Sequence, residues 1–319
     1  MTAALAEASP PPERPQSAFP LPVVLALGAV YVIWGSTYLA IRFVVESMPP
    51  LLSGGVRFMT AGLVLLAVAR ARGEAPVTLA DLRRAVIPGA LLFLVGNGFV
   101  AVAEKGLPSS LAAVVCATMP LFATALGHAT GQKARAGEWV GLGFGFAGVV
   151  LLSAGDLRHV PALGLLLILA PMGWALGSLL ARRAGGRGGL VATATPMLSG
   201  GTVTAIAGLL AGEPLHIASD ARAVVAWLYL VVFGSLVAFS AYSYLLRTTP
   251  PAVATSYAFV NPVLAVLLGV AVGGEALTPT AGIAGALVAA GVALVLRARR
   301  VPAKVTPSPA AAPRGYSPR

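Results

Sequence analysis

Hydrophobic residues fall into ten runs along the chain, and short polar breaks separate each run from the next. A helix needs about 20 apolar residues to cross a hydrocarbon core roughly 30 Å thick, and each run is close to that length. The pattern therefore predicts an all-α membrane protein with ten transmembrane helices. The runs cover residues 22–41, 51–70, 85–103, 107–127, 138–154, 161–180, 190–211, 223–246, 251–272 and 281–297.

The overall composition agrees with a lipid environment. Hydrophobic residues make up 57% of the chain and charged residues only 10%, whereas a soluble domain usually carries about 25% charged residues. Mean hydropathy is +0.86. The two ends differ from the rest because they are rich in proline and short on apolar runs. Residues 1–21 and 301–319 are predicted to be disordered cytoplasmic tails.

The basic residues predict how the chain is oriented in the membrane. If the N-terminus is inside, 17 of the 22 Lys and Arg residues lie in the tails and in the breaks on the inner side. Basic residues concentrate in cytoplasmic loops, so both termini are expected in the cytoplasm and the protein in the cell inner membrane. The net charge of +11 then reflects topology, and no nucleic-acid partner is expected. The outer breaks contain Arg42, Lys105, Arg158 and Arg222.

The two halves of the chain resemble each other. Trp34 and Arg42 are eight residues apart, as are Trp174 and Arg182. With five runs in each half, residues 22–155 and 161–297 are predicted to be two repeats of opposite orientation, the arrangement found in many alternating-access transporters. Chance similarity between small residues is the alternative. A shift of 142 relates Pro108, Ala112, Pro120, Gly127 and Gly131 to Pro250, Ala254, Pro262, Gly269 and Gly273.

Polar residues occur in helices 1–4 and 6–9, but residues 140–152 of helix 5 and 281–296 of helix 10 carry none. Lipid cannot satisfy polar groups, so the eight polar helices are expected to surround a cavity and helices 5 and 10 to lie outside it. Small residues recur at every fourth position in these two helices and allow close packing. This packing is expected within one chain, and a homodimer through helices 5 and 10 is the alternative. The small residues are Gly137, Gly141, Gly145, Ala281, Gly285 and Ala289.

Four apolar or kink-forming residues are candidates for the transport pathway. Trp34 and Trp174 lie near the middle of their runs, although tryptophan usually prefers the membrane interface. They are predicted to line the cavity, with ordinary core packing as the alternative. Pro120 and Pro262 each remove a backbone hydrogen bond inside a helix. They are predicted to act as gates, with a purely structural kink as the alternative.

Two charged residues are also candidates. Arg57 lies six residues from the outer end of helix 2, about 9 Å deep at 1.5 Å per residue. Because charges inside a span are costly, Arg57 is predicted to bind a substrate carboxylate; snorkelling outward or pairing with Glu46 or Glu104 are the alternatives. Glu104, at the outer end of helix 3, is the candidate for a proton-coupled residue.

Amide and tyrosine side chains complete the set of predicted substrate contacts. Asn97, Tyr242, Tyr257 and Asn261 lie within apolar runs, and interhelical hydrogen bonding is the alternative role of the two amides. Cys116 is the only cysteine, and no Cys/His spacing typical of a metal site occurs. Neither a cofactor nor a metal is therefore expected.

Several short motifs, taken together, resemble the EamA family of the drug/metabolite transporter superfamily, and in particular its YedA-type members. The resemblance implies two EamA repeats, a central cavity and export of amino acids, related metabolites or drugs. The usual Gly-Glu pair after each fourth helix is present as Gly274-Glu275 but reads Gln132-Lys133 in the first half, and Glu275 is expected to cap the turn into helix 10. The motifs are the runs 34–38, 57–58, 96–98, 112–120, 138–141, 254–257 and 261–262.

The pattern as a whole favours a carrier for a small-molecule substrate. An enzyme embedded in the membrane would need paired carboxylates, a histidine base or a metal set within the spans, and the sequence shows none there. A channel usually has a selectivity filter or a charged ring, which is also absent from the sequence. A membrane scaffold or a channel-like facilitator without active coupling remains the alternative to an exporter that works by alternating access.

Overall fold

The computed structural model describes residues 20–131, 135–155, 161–183, 188–215, 220–249, 257–276 and 278–300. Within these residues the chain forms ten helical segments, α1–α10, and no strand. Residues 1–19 and 301–319 of the predicted tails and residues 251–256 of the ninth run lie outside the described residues, whereas Leu21, predicted as the end of the first tail, begins the first helix. The segments are α1 Leu21–Val45, α2 Pro50–Ala71, α3 Leu79–Ala103, α4 Ser109–Ala129, α5 Ala136–Gly155, α6 Pro161–Arg183, α7 Val191–Leu210, α8 Ala221–Tyr229 continuing through Leu230–Val237 and Ala238–Thr248, α9 Tyr257–Ala271 and α10 Pro279–Arg300.

Six helices in the described part of the chain are long and apolar enough to cross a membrane: α1, α2, α3, α4, α6 and α8. Two shorter apolar stretches, Val260–Ala271 and Gly282–Leu294, lie in α9 and α10. Helix α7 is 20 residues long but contains four threonines, a serine and a proline, which lower its hydropathy. The helical segments therefore match the predicted runs in number, while only part of them are strongly apolar over their whole length.

Helices α3 and α8 each contain a π-helical stretch. These stretches cover Ala90–Gly98 and Leu230–Val237, so they begin 140 residues apart and occupy matching places in the two halves. A π-helical turn widens the helix and is frequent at functional sites. The first stretch contributes Gly96 and Asn97 to the lining of the central cavity described below. The second stretch accepts hydrogen bonds from two lining residues, Trp34 and Arg57.

The two predicted kinks differ from each other. Helix α4 consists of Ser109–Cys116 and Met119–Ala129, because Pro120 cannot donate a hydrogen bond to the carbonyl of Cys116. Helix α9 continues as one helix through Pro262. The helix is therefore interrupted just before the first proline and continuous through the second.

Helices α2 and α7 hold each other at both ends. The Glu213 carboxylate, just after α7, accepts hydrogen bonds from the Leu51 and Leu52 amides at 3.0 and 2.7 Å. The Glu74 carboxylate, just after α2, accepts from the Leu190 and Val191 amides at 3.1 and 3.3 Å. Each carboxylate thus satisfies free N–H groups at the start of the other helix. Because each helix ends beside the start of the other, the two helices are antiparallel.

Helices α5 and α10 also form a close antiparallel pair. A Cβ atom added to Gly291 would lie 2.5 Å from the Gly141 carbonyl oxygen and 2.7 Å from the Gly145 nitrogen. At the end of this pair, the Arg135 guanidinium donates to the Ala298 carbonyl at 2.5 Å. Gly141 and Gly145 of α5 therefore pack against Gly291 of α10 within the chain. Of the small residues predicted for this role in α10, Gly285 instead faces Val114 of α4 and Ala289 is exposed.

Candidate functional site

A central cavity of about 100 Å³ lies between helices α1, α2, α3, α4, α6, α8 and α9. Helices α5 and α10 contribute nothing to its lining, as expected from their lack of polar residues. Helix α7 was expected to line it and does not. The polar side chains of α7 bond elsewhere: Thr195 donates to the Val191 carbonyl, and Ser199 donates to the Leu82 carbonyl of α3. The polar side chains of α7 therefore serve hydrogen bonds to the backbone of α7 and of its neighbour α3, and not the cavity.

Aromatic rings form much of the cavity wall, and Trp34 is at their centre. The Trp34 ring centroid lies 6.2 Å from that of Trp174, 5.1 Å from those of Phe239 and Tyr242, and 5.0 Å from that of Tyr257. Edge-to-face pairs at such distances are favourable. Trp34, Trp174, Phe239 and Tyr257 line the cavity. Tyr242 packs behind Trp34 and Tyr257 and is not in the lining.

Arg57 is the one charged residue in the cavity lining, among the residues that the structure describes. It is only 5% exposed, so it does not snorkel to the surface. Its Nε donates to Ser235 Oγ at 2.9 Å, and its Cζ lies 4.6 Å from the Phe58 ring centroid. Within the described part of the chain it forms no ion pair.

The acids proposed as partners of Arg57 are not its partners. Glu46 accepts from Arg42 at 3.3 Å and from Arg222 at 2.8 Å at the end of the bundle predicted to be outside. Among the described residues, Glu104 has no hydrogen-bond partner on either carboxyl oxygen. The buried guanidinium is therefore neutralised by neither of them.

A two-residue segment of the second π-helical stretch connects the arginine to the aromatic cluster. The Trp34 indole Nε1 donates to the Gly234 carbonyl at 3.2 Å, and Arg57 donates to the next residue, Ser235. A Cβ on Gly234 would lie 3.0 Å from Arg57 Nη2 and 3.2 Å from the Thr37 methyl. Glycine at 234 therefore lets the cation and the indole approach the same helical turn. In the sequence, this segment is marked by Ser235, a serine in an otherwise apolar stretch.

Both predicted amides line the cavity, and both also serve the helices around it. Asn97 Nδ2 donates to the Leu92 carbonyl at 2.9 Å within the first π-helical stretch. With its amide oriented to donate, Asn261 bonds the carbonyls of Tyr257 and Tyr31 at 3.2 and 3.3 Å. The two bonds of Asn261 use both N–H groups of its amide and leave its oxygen for a ligand, whereas the single bond of Asn97 leaves one N–H group as well as the oxygen.

The two prolines lie differently with respect to the cavity. Pro262 is in the lining, one residue after Asn261. Pro120 is buried in α4, and its neighbour Met119 reaches the cavity instead. Sequence reasoning did not single out Met119, Tyr38, Cys116 or Phe239 as lining residues, because apolar and mildly polar side chains in a span give no distinct signal.

Glu104 lies at the predicted outer end of the bundle, one residue past the end of α3, and its side chain is fully buried. Neither carboxyl oxygen has a hydrogen-bond partner in the part of the chain that the structure describes. The Arg42 guanidinium bonds the carbonyl oxygens of Glu104 and Leu107 at 2.5 and 3.3 Å, not the carboxyl group. Burial, reinforced by the nearby Glu275 charge and opposed by Arg42, raises the pKa of Glu104 well above its ordinary value.

Glu275 closes the same outer end. Its carboxylate accepts from Ser109 N at 2.7 Å, from Ser109 Oγ at 2.6 Å and from Ser110 N at 3.0 Å. It therefore caps the start of α4, not the turn into α10 as expected from the sequence. Partial burial alone would raise the pKa of Glu275, but these hydrogen bonds outweigh burial and hold the pKa below its ordinary value.

Comparison with known proteins connects this architecture to a family. The model of the EamA-like transporter family matches the chain twice, over residues 21–154 and 162–297. The chain belongs to the EamA-like transporter family. This confirms the resemblance drawn from the motifs, and the two matches cover the two halves between which the cavity lies.

Individual relatives are also transport proteins by name. The chain is 45% identical over 292 residues to the "Uncharacterized inner membrane transporter YedA" of Escherichia coli (strain K12), covering 91% of this chain and 95% of the relative. It is 31% identical over 163 residues to the "Probable amino-acid metabolite efflux pump" of the same strain, covering 49% and 52% of the two chains. A solved crystal structure is similar with a TM-score of 0.63 and 25% identity, over 87% of this chain and 99% of that one. The chain is therefore a multi-pass inner-membrane transporter with a helical fold.

Proposed function

We propose that this transporter exports a small organic metabolite by alternating access, through ten membrane-spanning helices arranged as two inverted halves with both termini in the cytoplasm. The central cavity carries this proposal. Elements from both family matches line it, and it contains a buried cation without an ionic partner among the described residues. Sites near mid-membrane between repeats are typical of transporters of this kind.

The inverted arrangement has support from the reciprocal capping of α2 and α7. The interval from Glu74 to Glu213 is 139 residues, and the capped amides of Leu51 and Leu190 are also 139 residues apart. One rotation that exchanges α2 with α7 therefore relates both contacts. The π-helical stretches, which begin at residues 90 and 230, fit the same relation.

The role proposed for each residue is inferred from its position in the bundle. The aromatic and amide residues of the cavity contact the body of the substrate, and Arg57 binds an anionic group. Glu104, buried at the outer end, exchanges a proton as that end opens and closes. Pro120 and Pro262 allow α4 and α9 to bend as gates. The proposed substrate contacts are Trp34, Arg57, Asn97, Trp174, Tyr257 and Asn261. Tyr242, which is outside the lining, supports the rings of Trp34 and Tyr257 from behind.

Two further aspects of the proposal concern the substrate and the assembly. Similarity to a probable amino-acid metabolite efflux pump over half of the chain makes amino acids and related metabolites the first compounds to test. A homodimer through α5 and α10 would use their lipid-facing surfaces, where Trp139 and Phe146 are exposed, because the glycine faces of these helices pack within the chain.

The test is export from cells that overproduce the protein. Metabolites released into the medium are compared by mass spectrometry among cells carrying the wild type, Arg57→Gln or no protein. We expect a small set of compounds to accumulate with the wild type alone. The same compounds should then show saturable counterflow in proteoliposomes. Release without saturation or counterflow would instead favour the channel-like facilitator.

A further inference from the structure

We infer that the central cavity binds a compact organic acid with one net negative charge and an apolar or aromatic body. This inference rests on the proposed transport function and specifies its substrate class. The observations that carry it are the charge of the cavity lining, the use of the nearby acids elsewhere, and the position of Arg57 beside the aromatic rings.

The first observation is the charge of the lining. Arg57 is charged and 5% exposed, and no acid is present among the described lining residues. A buried charge is costly unless an opposite charge accompanies it. A ligand with net charge −1 makes the occupied cavity neutral, whereas a zwitterion leaves one positive charge and a cation leaves two. Charge balance therefore favours a monoanion over an amino acid and disfavours a cationic drug.

The second observation is that nearby carboxylates are engaged elsewhere. Glu213 and Glu275 cap the starts of α2 and α4, and Glu46 is paired with two arginines. Glu104 is fully buried and lies outside the lining. Within the described residues, none of these acids is placed to hold the ammonium group of an amino acid or an amine in the cavity.

The third observation is the position of the cation relative to the rings. Arg57 and Trp34 bond to adjacent residues, Ser235 and Gly234, of one helical turn. Within the described residues, Arg57 donates a hydrogen bond to protein through its Nε alone, so its two terminal nitrogens remain to hold a carboxylate side by side. A ligand that contacts both the Arg57 guanidinium and the Trp34 ring therefore has its carboxylate a short distance from its ring or apolar body. The cavity volume of about 100 Å³ favours a small body.

Three probes with the same phenylethyl body test this inference. At neutral pH, 3-phenylpropionate carries one negative charge, phenylalanine is a zwitterion and 2-phenylethylamine carries one positive charge. Binding to the purified full-length protein is measured by intrinsic tryptophan fluorescence, since Trp34 and Trp174 line the cavity. Counterflow of each labelled probe is measured in proteoliposomes. We expect 3-phenylpropionate to bind on the order of 30-fold more tightly than 2-phenylethylamine, with phenylalanine between them.

Variants assign that preference to Arg57. Arg57→Gln should remove the preference for the acid, and Arg57→Lys should retain part of it because the charge remains while the paired hydrogen bonds do not. Arg70→Gln, at the far end of the same helix, is the matched control and should leave the order unchanged. Thermal unfolding of each variant verifies that it folds, and Arg57→Lys provides the comparison if Arg57→Gln does not.

The outcomes separate the substrate class from the transport function. Counterflow of phenylalanine or 2-phenylethylamine with affinity equal to or above that of 3-phenylpropionate would overturn the acid preference while supporting a carrier. An acid preference that persists in Arg57→Gln would overturn the role of the arginine. Binding of the acid without counterflow would support the ligand class and contradict the transport function. Absence of both binding and counterflow for all three probes would overturn the inference.

Discussion

At the scale of single residues, two buried ionisable groups have opposite surroundings. Arg57 lies in the cavity with a serine hydroxyl and an aromatic ring beside it, so it keeps donor atoms for a ligand. Glu104 lies at the outer end, with no hydrogen bond to its carboxyl group and the Glu275 carboxylate nearby. The first environment favours binding an anion, and the second favours binding a proton.

The first prediction concerns the proton. Because the pKa of Glu104 is raised while it is buried, this residue should keep its proton at neutral pH with the outer end closed and release it when that end opens to water. Glu104→Gln mimics the protonated form permanently. We expect its transport rate to lose dependence on external pH. Export should be measured in proteoliposomes at several external pH values.

The matched control for that experiment is Glu46→Gln. Glu46 is also an acid at the outer end, but its side chain is 40% exposed and paired with two arginines. Its substitution should leave the pH profile of transport unchanged. A Glu104→Gln protein with the wild-type pH profile would remove Glu104 from any coupling role.

The second prediction concerns the residue that positions Arg57. Ser235→Ala leaves the Arg57 Nε without its acceptor in a buried site, and hydrogen bonds to charged groups contribute about 1.5–3 kcal/mol. We expect KM to rise by roughly tenfold or more, with a smaller change in kcat, because the guanidinium loses its orientation. Ser199→Ala in α7, which lies outside the cavity lining, is the control. Equal KM values for the two variants would contradict the positioning role.

At the scale of helices, the bundle is organised by two antiparallel pairs. Helices α2 and α7 exchange carboxylate caps at their ends, and α5 and α10 pack through glycines. The six other helices, which all line the cavity, include two with π-helical stretches, where backbone geometry departs from the regular α-helix. In the alternating access proposed above, the two pairs are the fixed parts and the irregular helices are the movable parts.

The third prediction tests the reciprocal caps. Glu213→Ala removes the acceptor for the Leu51 and Leu52 amides, and Glu74→Ala removes the acceptor for Leu190 and Val191. Loss of a helix N-cap costs about 0.5–2 kcal/mol, so both variants should be destabilised by similar amounts in that range. Unfolding in mixed detergent micelles measures this loss. A large difference between the two variants would argue against equivalent roles.

The fourth prediction uses two glycines of one helix. Gly291→Ala places a methyl group 2.5 Å from the Gly141 carbonyl oxygen, so α5 and α10 must separate. Overpacking of this kind typically costs about 1–3 kcal/mol. Gly282→Ala, also in α10, meets no atom within 4 Å and should be close to neutral. Thermal unfolding of the two purified variants tests the pair, and equal midpoints would contradict the observed packing.

At the scale of the whole molecule, the orientation proposed above rests on the asymmetry of basic residues. The fifth prediction places Lys105 outside and Arg72 inside. In a Cys116→Ala background, Lys105→Cys should react with a membrane-impermeant maleimide in intact cells. Arg72→Cys should react only after permeabilisation, because the inner side is then exposed. The reverse labelling pattern would invert the proposed topology.

Several features of this fold were predictable because they depend on local composition. Helix positions, the peripheral location of α5 and α10, and the candidates Trp34, Arg57 and Trp174 all follow from which side chains tolerate lipid. The π-helical stretches were not predictable, since their apolar sequences resemble any other span. The same local reasoning misplaced α7 in the cavity, because its threonines and serines have the composition of lining residues but bond to neighbouring backbone.

The sequence by itself determined that most of this protein faces lipid, that it consists of two similar halves, and which few polar residues lie within the membrane interior. Those properties depend on the chemistry of consecutive residues. Only the tertiary structure decided that Glu275 caps α4, that Glu213 and Glu74 cap each other's helices, and that Arg57 is left without an ionic partner among the described residues. These outcomes depend on contacts between residues more than a hundred positions apart in the sequence, and local composition does not specify such contacts.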